Sequence, residues 1–119
     1  DGFQPIAAVF GEEIRKVKTD LPVATRPWER LTEKTAIRKL FIDAGTTEPV
    51  VRSIDDQQPL TRIEDCWTIV MGSGYRWEIE QLTKDQQSIV KTRTLERLAD
   101  MEVTAIEFGA LHAIARKQR

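Results

Sequence analysis

The amino-acid sequence predicts one domain of the α+β class, with about five helices and a small antiparallel pair of strands. Its 119 residues are enough for a single hydrophobic core and too few for two ordinary domains. Apolar residues recur at intervals of three and four along most of the chain, which is the spacing of amphipathic helices. Two shorter stretches, residues 48–55 and 103–117, are instead rich in residues that favour strands.

The first predicted helix covers residues 5–18. Its apolar residues share one face, and Pro5 suits the first turn because a missing N–H there removes no helical hydrogen bond. Four charged residues are expected outside that face. The apolar residues are Ile6, Val9, Phe10, Ile14 and Val17, and the charged residues are Glu12, Glu13, Arg15 and Lys16. Residues 19–31, which contain two prolines, are predicted to form a connector.

A second helix is predicted over residues 33–44, and a strand follows it. Thr32 is a suitable N-cap, and Gly45 is a suitable C-terminal stop because glycine adopts the left-handed conformation that ends many helices. Residues 48–55 include the β-branched residues Val50, Val51 and Ile54, and turn-forming residues follow them directly. The strand is therefore expected to end before residue 56.

Three further helices are predicted in the second half of the chain. Residues 61–64, Thr-Arg-Ile-Glu, match a capping box, and the apolar spacing after them is helical. Residues 72–74, Gly-Ser-Gly, interrupt this pattern, and a short helix capped by the serine is expected over residues 75–82. A second capping box at residues 83–86, Thr-Lys-Asp-Gln, opens a helix that continues to about Ala99.

The last predicted element is a strand over residues 110–116. Residues 103–108 are expected to lead into it as extended chain, with Gly109 at a bend or bulge. The predicted partner of this strand is the stretch of residues 50–54.

Composition excludes several classes of function. Eighteen Lys and Arg residues stand against nineteen Asp and Glu residues, and both halves of the chain are balanced, so neither half offers a basic surface for nucleic acid or an anionic membrane. No apolar stretch approaches the roughly 20 residues of a membrane-spanning helix, so we expect a soluble cytoplasmic protein. With one cysteine, Cys66, and one histidine, His112, we expect no internal disulfide and no metal site.

The motif Gly72-Ser73-Gly74 has two interpretations, a cofactor-binding loop or a hinge between helices. A dinucleotide or S-adenosylmethionine loop needs a preceding strand, a third glycine and an acidic residue roughly 20 positions further on. Here a helical pattern precedes the motif, and Arg76 or Trp77 stands where the third glycine belongs. The sequence therefore favours Gly72 and Gly74 as hinge residues, and it predicts no cofactor-binding residue.

Aromatic residues and an arginine gather around this hinge. Trp67, Tyr75 and Arg76 are the candidate substrate-binding residues there, and Trp28 is a further candidate in the connector. An arginine among aromatic rings can bind a carboxylate or phosphate while the rings cover the apolar body of a ligand. The alternative is structural, with the tryptophans in the core and Arg76 paired at the surface. For Trp67 the apolar stripe favours the core, whereas both interpretations stay open for Tyr75 and Arg76.

No catalytic residue is predicted. Neighbouring carboxylates such as Glu64 and Asp65 point in different directions on a helix, so they do not form an acid/base pair. His112 lies in a predicted strand without a recognisable catalytic partner, and a structural role is favoured.

The order of four segments resembles a known family. These segments are "TRPWERLTEKTAIRKLFIDAG", a short strand, "PLTRIEDCWTIVMGSGYRWEIEQLTKDQQ" and "LHAIARK". Over about residues 25–117 the chain is similar to the C-terminal part of class I S-adenosylmethionine-dependent methyltransferases that act on small molecules. The resemblance implies an incomplete Rossmann-like fold, in which a helical lid is inserted between the sixth and seventh strands of the family's sheet. It places Trp67, Gly72, Gly74, Tyr75 and Arg76 in that lid.

The family's cofactor-binding half has no counterpart in the chain, so S-adenosylmethionine is implied only for a full-length protein. Residues 1–119 are expected to form a single domain with four parts: an N-terminal helix and linker (1–24), a helix and strand (25–60), a helical lid (61–100) and a closing strand (101–119). The expected function is substrate recognition within a methyltransferase, with a small-molecule methyl acceptor and no activity in isolation. The alternative is a stand-alone module that binds a small ligand or a protein.

The expected partner is a second copy or the missing N-terminal half. In the family the seventh strand lies between the fifth and the sixth, so residues 110–116 would expose an unpaired edge here. Two copies could join these edges about a two-fold axis.

Overall fold

The computed structural model of the protein describes residues 2–21 and 30–118, and this part of the chain contains five helices and two strands. In chain order they are α1 (Ile6–Val17), α2 (Lys34–Asp43), β1 (Val50–Pro59), α3 (Asp65–Met71), α4 (Arg76–Glu80), α5 (Lys84–Asp100) and β2 (Ala105–Ile114). The two strands pair as an antiparallel sheet. The predicted α+β class is confirmed at this level. None of the helices described here has the length and apolar character needed to cross a membrane.

The chain divides into two compact units. The strand unit comprises the described residues 30–56 and 109–118, and the helical unit comprises residues 2–21 and 57–108. Helix α1 thus belongs to the same unit as the predicted lid helices. Both strands contribute residues to each unit.

The helical unit has its own hydrophobic core, in which α1 packs against α5. The apolar stripe of α1 supplies four of its buried residues, as the helical spacing predicts. The buried members of this core are Ile6, Val9, Phe10, Ile14, Cys66, Val70, Tyr75, Ile79, Leu82, Val90, Leu98 and Ile106.

The capping box that opens α5 is confirmed. Gln86 donates its backbone N–H to Oγ1 of Thr83 over 3.2 Å, and Thr83 donates its own N–H to Oε1 of Gln86 over 3.0 Å. These reciprocal bonds satisfy two N–H groups that have no partner inside the helix. Helix α5 ends at Asp100, one residue beyond the predicted end.

Three other predicted caps are wrong. Helix α4 covers only residues 76–80 of the predicted 75–82, and its N-cap residue is Tyr75 and not Ser73. Residues 61–64 form a turn, and α3 begins only at Asp65. The reason is local, because Oδ2 of Asp65 accepts a hydrogen bond from the backbone N–H of Arg62 over 3.1 Å and so stabilises the turn. At the start of α2 the N-cap residue is Glu33 and not Thr32.

Both strands include residues that were predicted to lie outside them. Strand β1 continues through the turn-forming residues 56–58 to Pro59, and β2 begins at Ala105, so Gly109 lies inside the strand. Cross-strand bonding explains the extension, because Leu60 donates its N–H to the carbonyl oxygen of Thr104 over 2.9 Å. Polar side chains fit this stretch because they are exposed on a two-stranded sheet.

In the strand unit, the end of α2 is fixed by hydrogen bonds. Gly45 has a φ of +81°, the left-handed conformation that ends the helix as predicted. Thr46 then donates both its N–H and its hydroxyl to the carbonyl oxygen of Phe41. Residues Thr46 and Lys117 face each other in an isolated antiparallel bridge, so pairing extends beyond the strand ends.

Candidate functional site

The predicted hinge is a hydrogen-bonded break between α3 and α4. Gly72 ends α3, and its N–H donates to the carbonyl oxygen of Thr68 over 2.9 Å. The Ser73 hydroxyl donates to the carbonyl oxygen of Val70 over 3.0 Å and accepts from the N–H of Tyr75 over 3.4 Å. The N–H groups of Gly72, Ser73 and Tyr75 are therefore used within the chain, unlike those of a phosphate-binding loop. This geometry supports the hinge interpretation.

Position 72 is tightly packed, and a side chain there would need its neighbour to shift by a few tenths of an ångström. A side-chain methyl group there would lie 3.2 Å from the carbonyl oxygen of Thr68, which is tighter than an ordinary contact. The backbone angles of Gly72, φ −90° and ψ 0°, are open to other residues. Glycine at this position is therefore favoured by tight packing and not by a left-handed conformation.

Tyr75 is a core residue. Its side chain is 6% exposed, and its ring meets the ring of Phe10 edge to face with 5.6 Å between centroids. Phe3 packs on it in the same manner at 6.3 Å. The ring therefore fixes the start of α4 against α1.

Trp67 also packs on Phe10. The two ring centroids lie 6.3 Å apart, and the tryptophan is half-buried on the apolar stripe of α3. This placement agrees with the core interpretation. Phe10 thus brings Trp67 and Tyr75 together around one ring.

Arg76 lies at the surface of α4. Its Nε donates to Oε1 of Glu80 over 2.8 Å, an (i, i+4) pair in which both side chains are more than half exposed. The next residue, Trp77, is 44% exposed. Arg76 and Trp77 are therefore the chemically distinctive groups of the break that a ligand in solvent can reach.

Of the other residues that the sequence singled out, the structure describes Cys66 and His112. Trp28 lies outside the described residues. His112 is exposed on β2, and Cys66 is fully buried. Burial raises the pKa of the Cys66 thiol, and the charge of Asp65 adds to this effect, which disfavours the reactive thiolate. Within residues 2–21 and 30–118, no cluster of three His, Cys, Asp or Glu side chains is arranged to hold a metal ion.

An ion-pair cluster around the buried carboxylate of Glu13 joins α1 to α5, and sequence reasoning missed it. Oε1 of Glu13 accepts hydrogen bonds from Nζ of Lys16 and Nη1 of Arg97, each over 2.9 Å. Nη2 of Arg97 also binds Oε2 of Glu12 over 2.7 Å. Glu13 was expected outside the apolar face but is 2% exposed. Its position seven residues after Ile6 and three after Phe10 is the signal that places it on the buried face.

The electrostatics of this cluster favour the ionised carboxylate. Burial alone would raise the pKa of Glu13, but the hydrogen bonds and positive charges of Lys16 and Arg97 outweigh it and lower the pKa below its ordinary value. Hydrogen bonds to Glu12 and then Glu13 raise the pKa of Arg97. Oε2 of Glu13 and Oγ1 of Thr94 are both buried and have no hydrogen-bond partner among the described residues. The cluster therefore serves to join two helices.

No protein-family model, curated protein or solved structure matches the chain. Function is therefore inferred from the geometry of the described residues and from the resemblance in the sequence. The exposed groups of the helix break are a planar cation, Arg76, and an indole ring, Trp77, which point in different directions because they are neighbours on a helix. Of the two, Arg76 can bind a carboxylate or phosphate.

Proposed function

We propose that the chain is the C-terminal substrate-recognition part of an S-adenosylmethionine-dependent methyltransferase with a Rossmann-like fold. The observation that supports this most is the order of elements. Helix α2 leads into β1, the three helices α3 to α5 follow, and β2 returns antiparallel to β1. This is the order that the resemblance implies for the last helix, the sixth strand, an inserted lid and the seventh strand.

The exposed apolar residues of the strand unit support an incomplete fold. Val50 is 61% exposed, and Leu40 of α2 is 52% exposed. Large apolar side chains that are exposed in this way favour packing against another segment. A cofactor-binding half would supply such a segment, and the chain would not transfer methyl groups without it.

In this proposal the break between α3 and α4 is a lid element with two layers. Trp67 and Tyr75 anchor it through Phe10, while Arg76 and Trp77 face outward. Arg76 would bind a carboxylate or phosphate of the methyl acceptor. Trp28 is a further candidate for this role.

The experiment that tests the proposal is calorimetric titration of the chain with S-adenosylmethionine. No binding is expected for the chain by itself, and clear binding would contradict the assignment to the substrate side. The same titration is then made on a longer protein that includes the coding sequence immediately upstream. We expect that sequence to encode a glycine-rich cofactor loop and to confer binding.

A second candidate function is a stand-alone module that binds a small ligand or a protein. The observation in its favour is the self-contained core of the helical unit, which needs no further segment to bury Phe10 or Leu98. The upstream coding sequence separates the two proposals. A sequence there without a glycine-rich loop would favour the module.

A further inference from the structure

We infer that the outer edge of β2 pairs with the same edge of a second copy of the chain, in a register centred on Leu111. This inference goes with the second candidate function, the stand-alone module, because in the proposed full-length methyltransferase a strand of the missing half would lie on the same edge. The sequence predicted that residues 110–116 form the pairing edge, and the structure narrows this stretch to residues 109–113.

The hydrogen bonds of β2 show which of its residues point their backbone N–H and C=O groups toward β1 and which point them to the outer edge. The carbonyl oxygens of Thr104 and Arg116 accept hydrogen bonds from Leu60 and Thr47, so even-numbered residues face β1 at both ends of the strand. Glu107 instead donates its N–H to Gln4, on the opposite edge. Because backbone groups alternate along a strand, the odd-numbered residues after Glu107 face the outer edge as well.

The outer edge open to a partner is short and symmetric. The residues whose backbone N–H and C=O groups point to this edge are Gly109, Leu111 and Ala113. The stretch is limited at one end by Gln4, which pairs with Glu107, and at the other by the end of β2 at Ile114. In the part of the chain that the structure describes, the sheet has two strands, and no strand lies along these three residues. Antiparallel pairing about Leu111 places Gly109 opposite Ala113 of the second copy. The backbone N–H and C=O groups of all three residues then form hydrogen bonds across the interface on both chains.

The composition of this edge favours pairing. Residues 108–115, Phe-Gly-Ala-Leu-His-Ala-Ile-Ala, contain no Lys, Arg, Asp, Glu or Pro, the residues with which exposed edges usually prevent association. A two-stranded sheet is marginally stable by itself, and two copies joined in this way form a sheet of four strands.

Two exposed apolar side chains favour a second copy of the chain as the partner at this edge. Ile114 is 76% exposed and Phe108 is 38% exposed, and both are even-numbered residues on one face of β2. The register centred on Leu111 places Ile114 opposite Phe108 of the second copy, and the two-fold axis repeats this pair at the other end. Each chain thus supplies the apolar partner that the other exposes.

The register predicts that Ala110 lies directly opposite His112 of the second copy. Both side chains are exposed, so charges can be introduced there without disturbing buried residues. The variant A110E/H112E creates two pairs of like charges across the interface, and A110E/H112K creates two pairs of opposite charges. The control S88E/T92E adds two charges at exposed positions of α5.

Sedimentation velocity over a concentration series tests the inference, with circular dichroism to verify that each variant is folded. We expect a dimer for the unaltered chain and for S88E/T92E, and a dissociation constant about tenfold or more higher for A110E/H112E. The dimer should return in A110E/H112K. A monomeric unaltered chain, an unchanged dimer in A110E/H112E, or a folded but monomeric A110E/H112K would each overturn the inference.

Discussion

Nη1 of Arg97 lies 2.9 Å from Oε1 of Glu13, and this bond joins helix α5 to a carboxylate that is only 2% exposed on α1. Lys16 binds the same oxygen, also over 2.9 Å. The cost of burying a charge is offset only when such hydrogen bonds are made. The stability of the helical unit should therefore depend on the charge of Glu13.

Substitution of Glu13 by Gln tests this dependence. The variant keeps the size of the side chain but weakens the hydrogen bonds from Lys16 and Arg97 by removing the charge. We expect the free energy of unfolding to fall by about 1–2 kcal/mol. Urea denaturation measures it, and Glu12→Gln is the matched control. Glu12 is half exposed, and its replacement should cost about 0.5 kcal/mol or less. Equal losses in the two variants would contradict the special role of Glu13.

The same carboxylate predicts how stability changes with pH. The pKa of Glu13 in the folded chain lies below the ordinary value of 4.5, so acid protonates the unfolded chain first. The stabilisation from Glu13 is therefore complete above pH 4.5 and is lost as the pH falls through the lowered pKa. Denaturation of the unaltered chain and Glu13→Gln at several pH values should show a difference that shrinks in acid. A difference that grows in acid would mean that the pKa is raised.

Thr94 gives the opposite expectation. Its hydroxyl is buried and has no hydrogen-bond partner among the described residues, so its desolvation is not offset there. Thr94→Val removes the hydroxyl and keeps the shape of the side chain. We expect the free energy of unfolding to stay equal or rise by about 1 kcal/mol. Thr92→Val, at an exposed position of the same helix, should change it by less than about 0.5 kcal/mol. A marked loss in Thr94→Val would show that the hydroxyl stabilises the fold.

Sequence patterns predicted the helices well where a periodic apolar face coincided with a cap. The bonds between Thr83 and Gln86 are an example, because they involve only neighbouring residues. The capping box predicted at residues 61–64 is absent because the side chain of Asp65 accepts a hydrogen bond from the backbone N–H of Arg62 and stabilises a turn there. Local competition of this kind depends on geometry that spacing alone does not specify.

Tertiary contacts explain the other errors. Glu13 was expected at the surface, and its burial becomes favourable through hydrogen bonds from Lys16 and from Arg97, which lies far along the chain. Residues 56–58 resemble a turn, but pairing with β2 holds them extended. At the helix break, the apolar stripe correctly indicated that Trp67 packs in the core, whereas sequence could not decide whether Tyr75 is buried.

Two glycines allow a test of the close approach at the helix break. Gly11 lies inside α1, where an added methyl group would meet only the end of the Arg15 side chain at 3.5 Å. Gly11→Ala should raise the free energy of unfolding by about 0.5–1 kcal/mol. Gly72→Ala lowers the conformational entropy of the unfolded chain in the same way. Its methyl group, however, would lie 3.2 Å from the carbonyl oxygen of Thr68. We expect Gly72→Ala to be about 1 kcal/mol or more less favourable than Gly11→Ala. Equal effects in thermal denaturation would show that the break tolerates a side chain.

Tyr75 and Arg76 are neighbours with opposite expected roles, and alanine variants should separate them. Tyr75→Ala removes a buried ring that packs on Phe10 and should lower the free energy of unfolding by about 3 kcal/mol. Arg76→Ala removes an exposed ion pair with Glu80 and should change it by about 0.5 kcal/mol or less. If Arg76 binds the methyl acceptor, the variant should raise the KM for the acceptor in the full-length enzyme while stability stays constant. Glu80→Ala is the control, because it breaks the same ion pair but leaves the guanidinium in place. An equal rise in KM for both variants would assign the effect to the ion pair and not to a ligand contact.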